Sequence, residues 1–524
     1  MHPKAPLVLM LFFLGLGMEP VTALASTVTI TVTDEDTGKR IPCRVHLVNS
    51  VGQAVQPKNW PFWHDHFVCN GRVTVRVDPG SYVLQIERGP EYAKINTPLT
   101  VAPASNRKLE VTLKRLVNMA SENWWSGELH VHRSKEHIEL IMQAEDIHVA
   151  PVITWWNMNN LWKGRRVPVP ATVHFDETRY YDLMAGEDER EGGALLYFHL
   201  NRPLRIARAR REYPSPMKYV IQAKKRHDNA WVDVEKPFWW DMPTWIASGL
   251  IDSIGLANNH MCRDQMLETE AWGKARDIGR LPAPLGNGWW SQEIYYHLLN
   301  CDIRIPPSAG SASGVLPNPV GYNRVYVHVE RPFNITKWWE SLRSGRSFVT
   351  NGPLLQVQAN GQHPGHVFSI DEHPRSLNVQ LSCELVSRDL VGWIEVIKNG
   401  VVVSRESFSP QEGSLKQNAP QPAAIRLKTE FPFLEFKSNG WFLVRVVIDN
   451  PATFRFASTA PFFVERKGHP RRVSKTSAWF FLEWVRQRIQ RIDLAEGPRR
   501  TNVLSYHEEA VRYWQDLVDR ANVD

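Results

Sequence analysis

The sequence predicts a multidomain α/β plus β protein: a central βα barrel flanked by two β-sandwich domains and followed by a helical tail. Three observations lead there. Apolar and polar residues alternate with period two near both ends of the chain, as in TVTITVTD from Thr27 and GWFLVRVVI from Gly440, which is the mark of half-buried strands. Between them, short apolar runs alternate with amphipathic helical stretches about seven times, the pattern of a parallel sheet closed into a barrel. From Ser474 the pattern turns helical in SAWFFLEWVRQRIQRI.

The elements follow in order. Residues 1–25 read as a signal peptide: Lys4, an apolar run over 7–17, and Ala23-Leu24-Ala25 as a small-x-small cleavage site before Ser26. The run is too short to span a bilayer. A secreted or periplasmic location follows, with no membrane span after cleavage. Residues 26–117 form the N-terminal sandwich. Residues 118–350 form the barrel, with strands expected over 127–132, 149–154, 194–200, 230–235, 251–258, 302–306 and 324–330. Its helices are expected over 136–144, 216–227, 292–299 and 336–344. Residues 351–466 form the C-terminal sandwich, where Asn399-Gly400 between apolar strands signals a type I′ hairpin. Residues 467–524 form the tail, broken at Gly497-Pro498.

Composition narrows the function. Of 524 residues, 62 are Lys or Arg and 55 are Asp or Glu, so the net charge is +7. With no P-loop, RNP or zinc-finger motif, this mild excess gives no case for a nucleic-acid partner. The five cysteines show no CxxC spacing, which argues against a Cys-based zinc site. An oxidising compartment would permit a Cys43–Cys69 disulfide. Tryptophan is unusually abundant: of 21, ten form five Trp-Trp doublets.

The sharpest motif is GELHVH, residues 127–132. On a strand, period two puts His130 and His132 on one face. At the C-terminal end of the first barrel strand that face looks into the mouth, where active sites lie. Two neutral imidazoles there make a preformed half-site for a metal.

GELHVH, followed by an amphipathic helix and a second strand, resembles the PHP (polymerase and histidinol phosphatase) superfamily, in its CehA/McbA-like metallohydrolase branch. SGRSFVTNGPLL, residues 344–355, resembles the end of that branch's barrel. The resemblance covers about residues 120–355. It implies a distorted (β/α)7 barrel with flanking β domains, divalent metals, and hydrolysis of phosphate esters or related esters.

Several ligand positions of the family are substituted. Its Thr-Asp-His-Asn reads Thr154-Trp155-Trp156-Asn157, and its Gly-x-Glu appears as Gly186-Glu187-Asp188. A Gly-His reads Gly193-Ala194, the His-Pro of the fourth strand reads Lys236-Pro237, and a late Asp-x-His reads Ala312-Ser313-Gly314. A trinuclear centre cannot be built from these residues. A replacement set can: His130, His132, Glu187 or Asp188, Glu235 and His260 make a mixed N/O shell for one divalent ion at most, Zn, Mn or Fe. Glu235 or Asp233 is the candidate general base.

The mouth would bind substrate through Trp155, Trp156, Asn157, Lys236, Trp239, Trp240, Asn258 and Asn259. Aromatic faces stack on sugar rings, aryl groups or cations, so the expected partner is a small molecule or a glycan. Two functions stand open from the sequence. One is an exported metal-dependent hydrolase of esters or phosphoesters. The other is a non-catalytic barrel binding a glycan or other ligand through a Trp-lined cleft.

Overall fold

A computed structural model describes residues 26–206, 209, 211–371, 376–408 and 424–524. Residues 1–25, read from the sequence as a signal peptide, lie outside the described residues. The fold is mixed α/β with large sheets. Among the described residues no helix is long and apolar enough to cross a membrane.

The first region pairs two sheets. Strand Ser26–Asp34 lies between Arg72–Val77, antiparallel, and Asn106–Leu113, parallel. Facing it, Cys43–Asn49 runs between His66–Cys69 and Gly80–Glu87. The inward residues of each alternating strand share one apolar core, with Val28, Ile30 and Val32 beside Val45, Leu47 and Leu84. Cys43 and Cys69 face each other across the pairing as free buried thiols, Sγ atoms 3.8 Å apart.

The central sheet closes on itself. Trp124–Gly127 is parallel to Val149–Trp156, which is parallel to Tyr180–Arg190. Trp231–Val234, Ser253–Ala257 and Pro307–Ala309 continue in parallel. The ring closes at the His-x-His segment. Val131 bridges both Val152 and Ser313 in parallel, and the Leu129 amide donates to the Ala309 carbonyl at 2.9 Å.

Three features depart from the expected all-parallel repeat. Gly193–Phe198 runs antiparallel to both its neighbours, Tyr180–Arg190 and Trp231–Val234. Its link to Arg190 is two residues, and a parallel crossover needs a dozen or more. Tyr180–Arg190 is itself a strand the sequence pattern did not reveal, and a β excursion, not a helix, precedes it: the short pairings Asn159–Asn160 and Thr172–His174. Finally, Arg324–His328 is antiparallel to Trp124–Gly127 and to Ser347–Thr350.

Ser347–Thr350 also pairs with Phe456–Thr459, so the C-terminal sheet is continuous with the central one. A second sheet of Leu354–Ala359, Leu377–Ser387 and Ile425–Phe436 packs Leu355, Val357 and Leu381 against Ile394, Val444 and Val446. The tail helices Lys475–Arg491 and Pro498–Asp519 bury Trp484 and Trp514 fully. They dock on helix Met242–Ala247: the Trp514 indole donates to the Pro243 carbonyl at 3.0 Å. Buried Arg488 reaches Asp241 at 2.6 Å and Glu212 at 3.1 and 2.5 Å. Asp241 directly follows the Trp239-Trp240 doublet, so the tail braces the loop after Trp231–Val234.

Candidate metal centre

His130 and His132 leave the closing segment with both imidazoles buried. Their Nε2 atoms stand 2.9 Å apart. Glu187, near the end of Tyr180–Arg190, brings Oε2 to 3.1 Å from His132 Nε2 and 3.5 Å from His130 Nε2. All three side chains are buried. The 3.1 Å approach is not aligned as a hydrogen bond, and Glu187 Oε2 has no hydrogen-bond partner. One ligand atom from each residue lies within 4.8 Å of the others. A tetrahedral ion with bonds of about 2.0–2.2 Å separates its ligands by about 3.4 Å. The observed spacings bracket that value.

Electrostatics favour one positive charge in the cluster. Burial works against charge on His130, but Glu187 and then Glu235 outweigh it and push the imidazole up to about 10. Burial likewise opposes charge on Glu187, yet the two histidines hold its carboxyl well below the ordinary range. His132 is lowered, by burial first and by the His130 charge. The cluster therefore holds one positive charge, a proton on His130 shared with His132 Nε2 at 2.9 Å or a metal ion in its place.

Glu235 is placed differently from the sequence expectation. It does not join the shared ligand cluster but stands behind His130, its Oε1 3.4 Å from Nδ1. Lys236 Nζ contacts both its oxygens, one at 2.5 Å, and the Trp239 indole donates to it at 2.9 Å. Asp233, two residues earlier on the same strand face, accepts hydrogen bonds from Ser253 Oγ at 2.5 Å and from Ser308. Burial pushes it up to about 7 against those two bonds. Its carboxylate is held by hydroxyls from the next two strands.

Asp188 faces away from Glu187, as period two requires, and pairs with Arg190 at 2.5 and 2.7 Å. It is not a ligand. His260 also stands apart: Nδ1 meets the Thr269 carbonyl at 3.0 Å. Burial, then the Lys236 charge, pushes it down to about 3.

The expected aromatic cleft is mostly interior packing. Trp155 and Trp239 are buried. Trp155 occupies the space a side chain at 186 would need: a Cβ there would lie 1.8 Å from the indole, so only glycine fits. Trp240 lies under the tail, 6.4 Å from Trp484. Asn258 is tied to Ser291 at 3.3 Å, and the Asn259 carbonyl accepts from Asn318. Trp156 does reach the centre, its ring 5.0 Å from that of His132. Asn157 is bonded to the backbone of Glu189 at 2.8 and 2.9 Å and lines a cavity of 510 Å³ with Glu189, Arg190 and Trp272.

Two residues at this mouth escaped sequence reasoning. Glu189 shares the strand face of Glu187, a period-two Glu-x-Glu that was legible only once a strand was assigned there. Burial, then the charges of Glu187 and Glu235, push it up to about 7. Trp272 stacks on Trp239 at 5.0 Å and remains 39% exposed.

A second histidine–carboxylate group, His46, Asp65 and His66, is chemically unlike the first. His46 Nε2 accepts from Arg44 at 3.1 Å and Arg263 at 3.0 Å. Its proton therefore sits on Nδ1, 3.1 Å from Asp65. Both nitrogens are in use, and two guanidiniums repel a cation.

No family model and no curated protein matches the chain. Among solved structures, part of it is similar to the group B streptococcus pilus 2b backbone protein (14% identity, TM-score 0.15, 18% of this chain and 42% of that one). Another part is similar to the Bacillus anthracis TIE protein (16% identity, TM-score 0.15, 21% of this chain and 19% of that one). The alignments thus span less than half of either chain.

Proposed function

We propose that the protein is an exported metal-dependent hydrolase of esters or phosphoesters, built on a PHP-like barrel with one metal position. The observation that carries this reading is the convergence of His130 Nε2, His132 Nε2 and Glu187 Oε2, with Glu187 Oε2 buried and unpartnered. A Zn, Mn or Fe ion held by these three atoms would supply Lewis acidity toward an ester or phosphoryl oxygen.

The remaining roles fall to the chain's own groups. Glu235 takes the Nδ1 side of His130 and so turns the Nε2 lone pair toward the centre, the usual task of a carboxylate behind a ligating histidine. Lys236 neutralises Glu235 and puts a fixed ammonium where the related family has a histidine, which leaves room for one ion only. Glu189 is the titratable group facing the 510 Å³ cavity, and Trp272 is its exposed aromatic wall. A carboxylate at that position is placed for proton transfer to or from a substrate bound in the cavity.

The alternative, a purely binding barrel with a Trp-lined cleft, has less support, because Trp124, Trp125, Trp155 and Trp239 are buried. The test is hydrolysis of aryl ester and aryl phosphate substrates by metal-loaded protein. Activity lost in His130→Ala and reduced in Glu189→Gln supports the hydrolase. Full activity in metal-free His130→Ala protein overturns it.

A further inference from the structure

The three regions of the chain meet at a second polar site. A cavity of 120 Å³ is lined by six cations, Arg44, Lys94, Arg263, Arg324, Arg388 and Arg455, against four carboxylates. Asp65, just outside the lining, pairs with Arg263 and is a fifth carboxylate, so the surplus is one positive charge. Most of the cations are already paired: Arg44 with Glu145 at 2.6 Å and Glu87 at 3.1 Å, Arg388 with Glu87 at 3.1 Å, and Arg455 with Asp389 at 2.8 Å. Arg263 pairs with Asp65 at 2.7 Å.

Arg324 and Lys94 differ. Among the described residues neither has a carboxylate within ion-pair distance. Arg324 is only 2% exposed. Its Nε donates to the Gly321 carbonyl at 2.5 Å and Nη2 to the Glu145 carbonyl at 3.2 Å, while Nη1 is buried without a partner. A buried charged donor left unsatisfied is costly. Beside it stands Gly89, with φ +55°, where a Cβ would come within 3.2 Å of Nη1. The same Cβ would lie 2.5 Å from the Glu145 carbonyl, so that close approach and the positive φ require glycine beside the donor.

We propose that this junction is a binding site for a tetrahedral oxyanion, a phosphate group, which completes Arg324 and recruits Lys94 at the rim. Phosphate carries about −1.5 to −2 charge at pH 7, and the two cations without an ion pair, Arg324 and Lys94, face it. A cavity of 120 Å³ corresponds to about four waters at about 30 Å³ each, room for the anion but not for a nucleotide. Guanidinium forks favour such oxygens over a point-charge halide. Because the lining comes from all three regions, the anion cements their docking. The site is separate from the His130 cluster and does not depend on the proposed hydrolase activity.

The test titrates inorganic phosphate into metal-free full-length protein at fixed pH and ionic strength, by calorimetry and thermal unfolding. The expected result is a saturable heat and a saturable rise in Tm, since a ligand bound only to the folded state stabilises it. His130→Ala should keep both. Lys94→Gln, at an exposed position that folding does not need, should weaken binding about tenfold, the loss of one charge-assisted contact. Arg324→Gln should abolish it. Should Arg324→Gln not fold, Lys94→Gln decides alone. A parallel titration with glycerol phosphate identifies the source. Tighter binding than inorganic phosphate marks a phosphorylated metabolite, weaker binding marks the free ion, and either supports the site. No saturable effect, an effect unchanged in Lys94→Gln, or one lost in His130→Ala overturns it.

Discussion

Replacing Arg488 by alanine should unfold the tail from the barrel at a cost set by two stranded carboxylates. Arg488 is 2% exposed, with Asp241 at 3% and Glu212 at 7%. Its guanidinium meets Asp241 at 2.6 Å and Glu212 at 3.1 and 2.5 Å. Deleting one partner of a buried ion pair costs about 3–5 kcal/mol, because the remaining charge loses its compensation without regaining water. At about 2–4 °C per kcal/mol for a unit of 150–250 residues, Tm should fall by roughly 6–20 °C. The control is Arg486→Ala on the same helix. That side chain is 41% exposed and pairs with Glu483 at 2.7 Å, so the loss should stay below about 1 kcal/mol. Differential scanning fluorimetry and urea melts read both variants. Adding Glu212→Gln and Asp241→Asn to Arg488→Met should recover much of the loss, since an apolar or neutral replacement of a whole buried network is often tolerated. An Arg488→Ala protein within 1 kcal/mol of wild type would refute the reasoning.

Two further outcomes follow from the packing and the titrations. Gly186→Ala drives a methyl into the Trp155 indole, 1.8 Å from the Cβ position. It should cost about 1–3 kcal/mol or more and displace Glu187, read as a lower urea midpoint together with weaker metal binding; an unchanged midpoint contradicts the placement of Trp155. Burial pushes His148 down to about 3, and the charge on Arg179 adds to it, below the unfolded value of 6.5. The unfolded chain therefore binds the extra proton, and the stability His148 contributes is intact above pH 6.5 and lost as pH falls toward 3. His148→Phe should remove about 1.4 kcal/mol of acid destabilisation per pH unit in that window relative to wild type. Identical pH slopes for the two proteins would show that His148 is not neutral in the fold.

Several helices were legible in the sequence because their signals are local, but their starts were not always: the last was expected near 505–520 and runs Pro498–Asp519, and the one expected over 292–299 runs Gly286–Asn300. Ser215 before Pro216 caps Pro216–Arg226 by accepting from the Met217 amide, Ser474 caps Lys475–Arg491, and Gly497-Pro498 opens Pro498–Asp519. The path of the sheet was less legible. YYDLMAGEDER is a strand whose polar residues turn into the molecule, Asp188 toward Arg190 and Glu187 toward the two histidines, so no apolar alternation marks it. The strand expected over 127–132 ends at Gly127, and His130 and His132 flank only the single bridges of Val131; they meet through the fold of that segment and not through strand periodicity alone. Choosing Glu187 over Asp188 needed the strand's register. The position of Glu235 behind His130, and the withdrawal of His260 to the Thr269 carbonyl, depend on partners far away in sequence that no local pattern encodes. The tryptophan doublets misled because an indole packs into a core as readily as it walls a cleft.

The central claim is most directly tested by counting metal. Purified chain, stripped of metal and titrated with Zn, Mn or Fe, should bind one equivalent, measured by calorimetry and by elemental analysis after desalting. His132→Ala and Glu187→Gln should lose that equivalent, while Asp188→Asn and His260→Gln keep it, and Glu235→Gln weakens it about 10–100-fold as a partner behind a ligand should. No bound ion, two or more ions per chain, or an ion retained in both His132→Ala and Glu187→Gln would contradict the account.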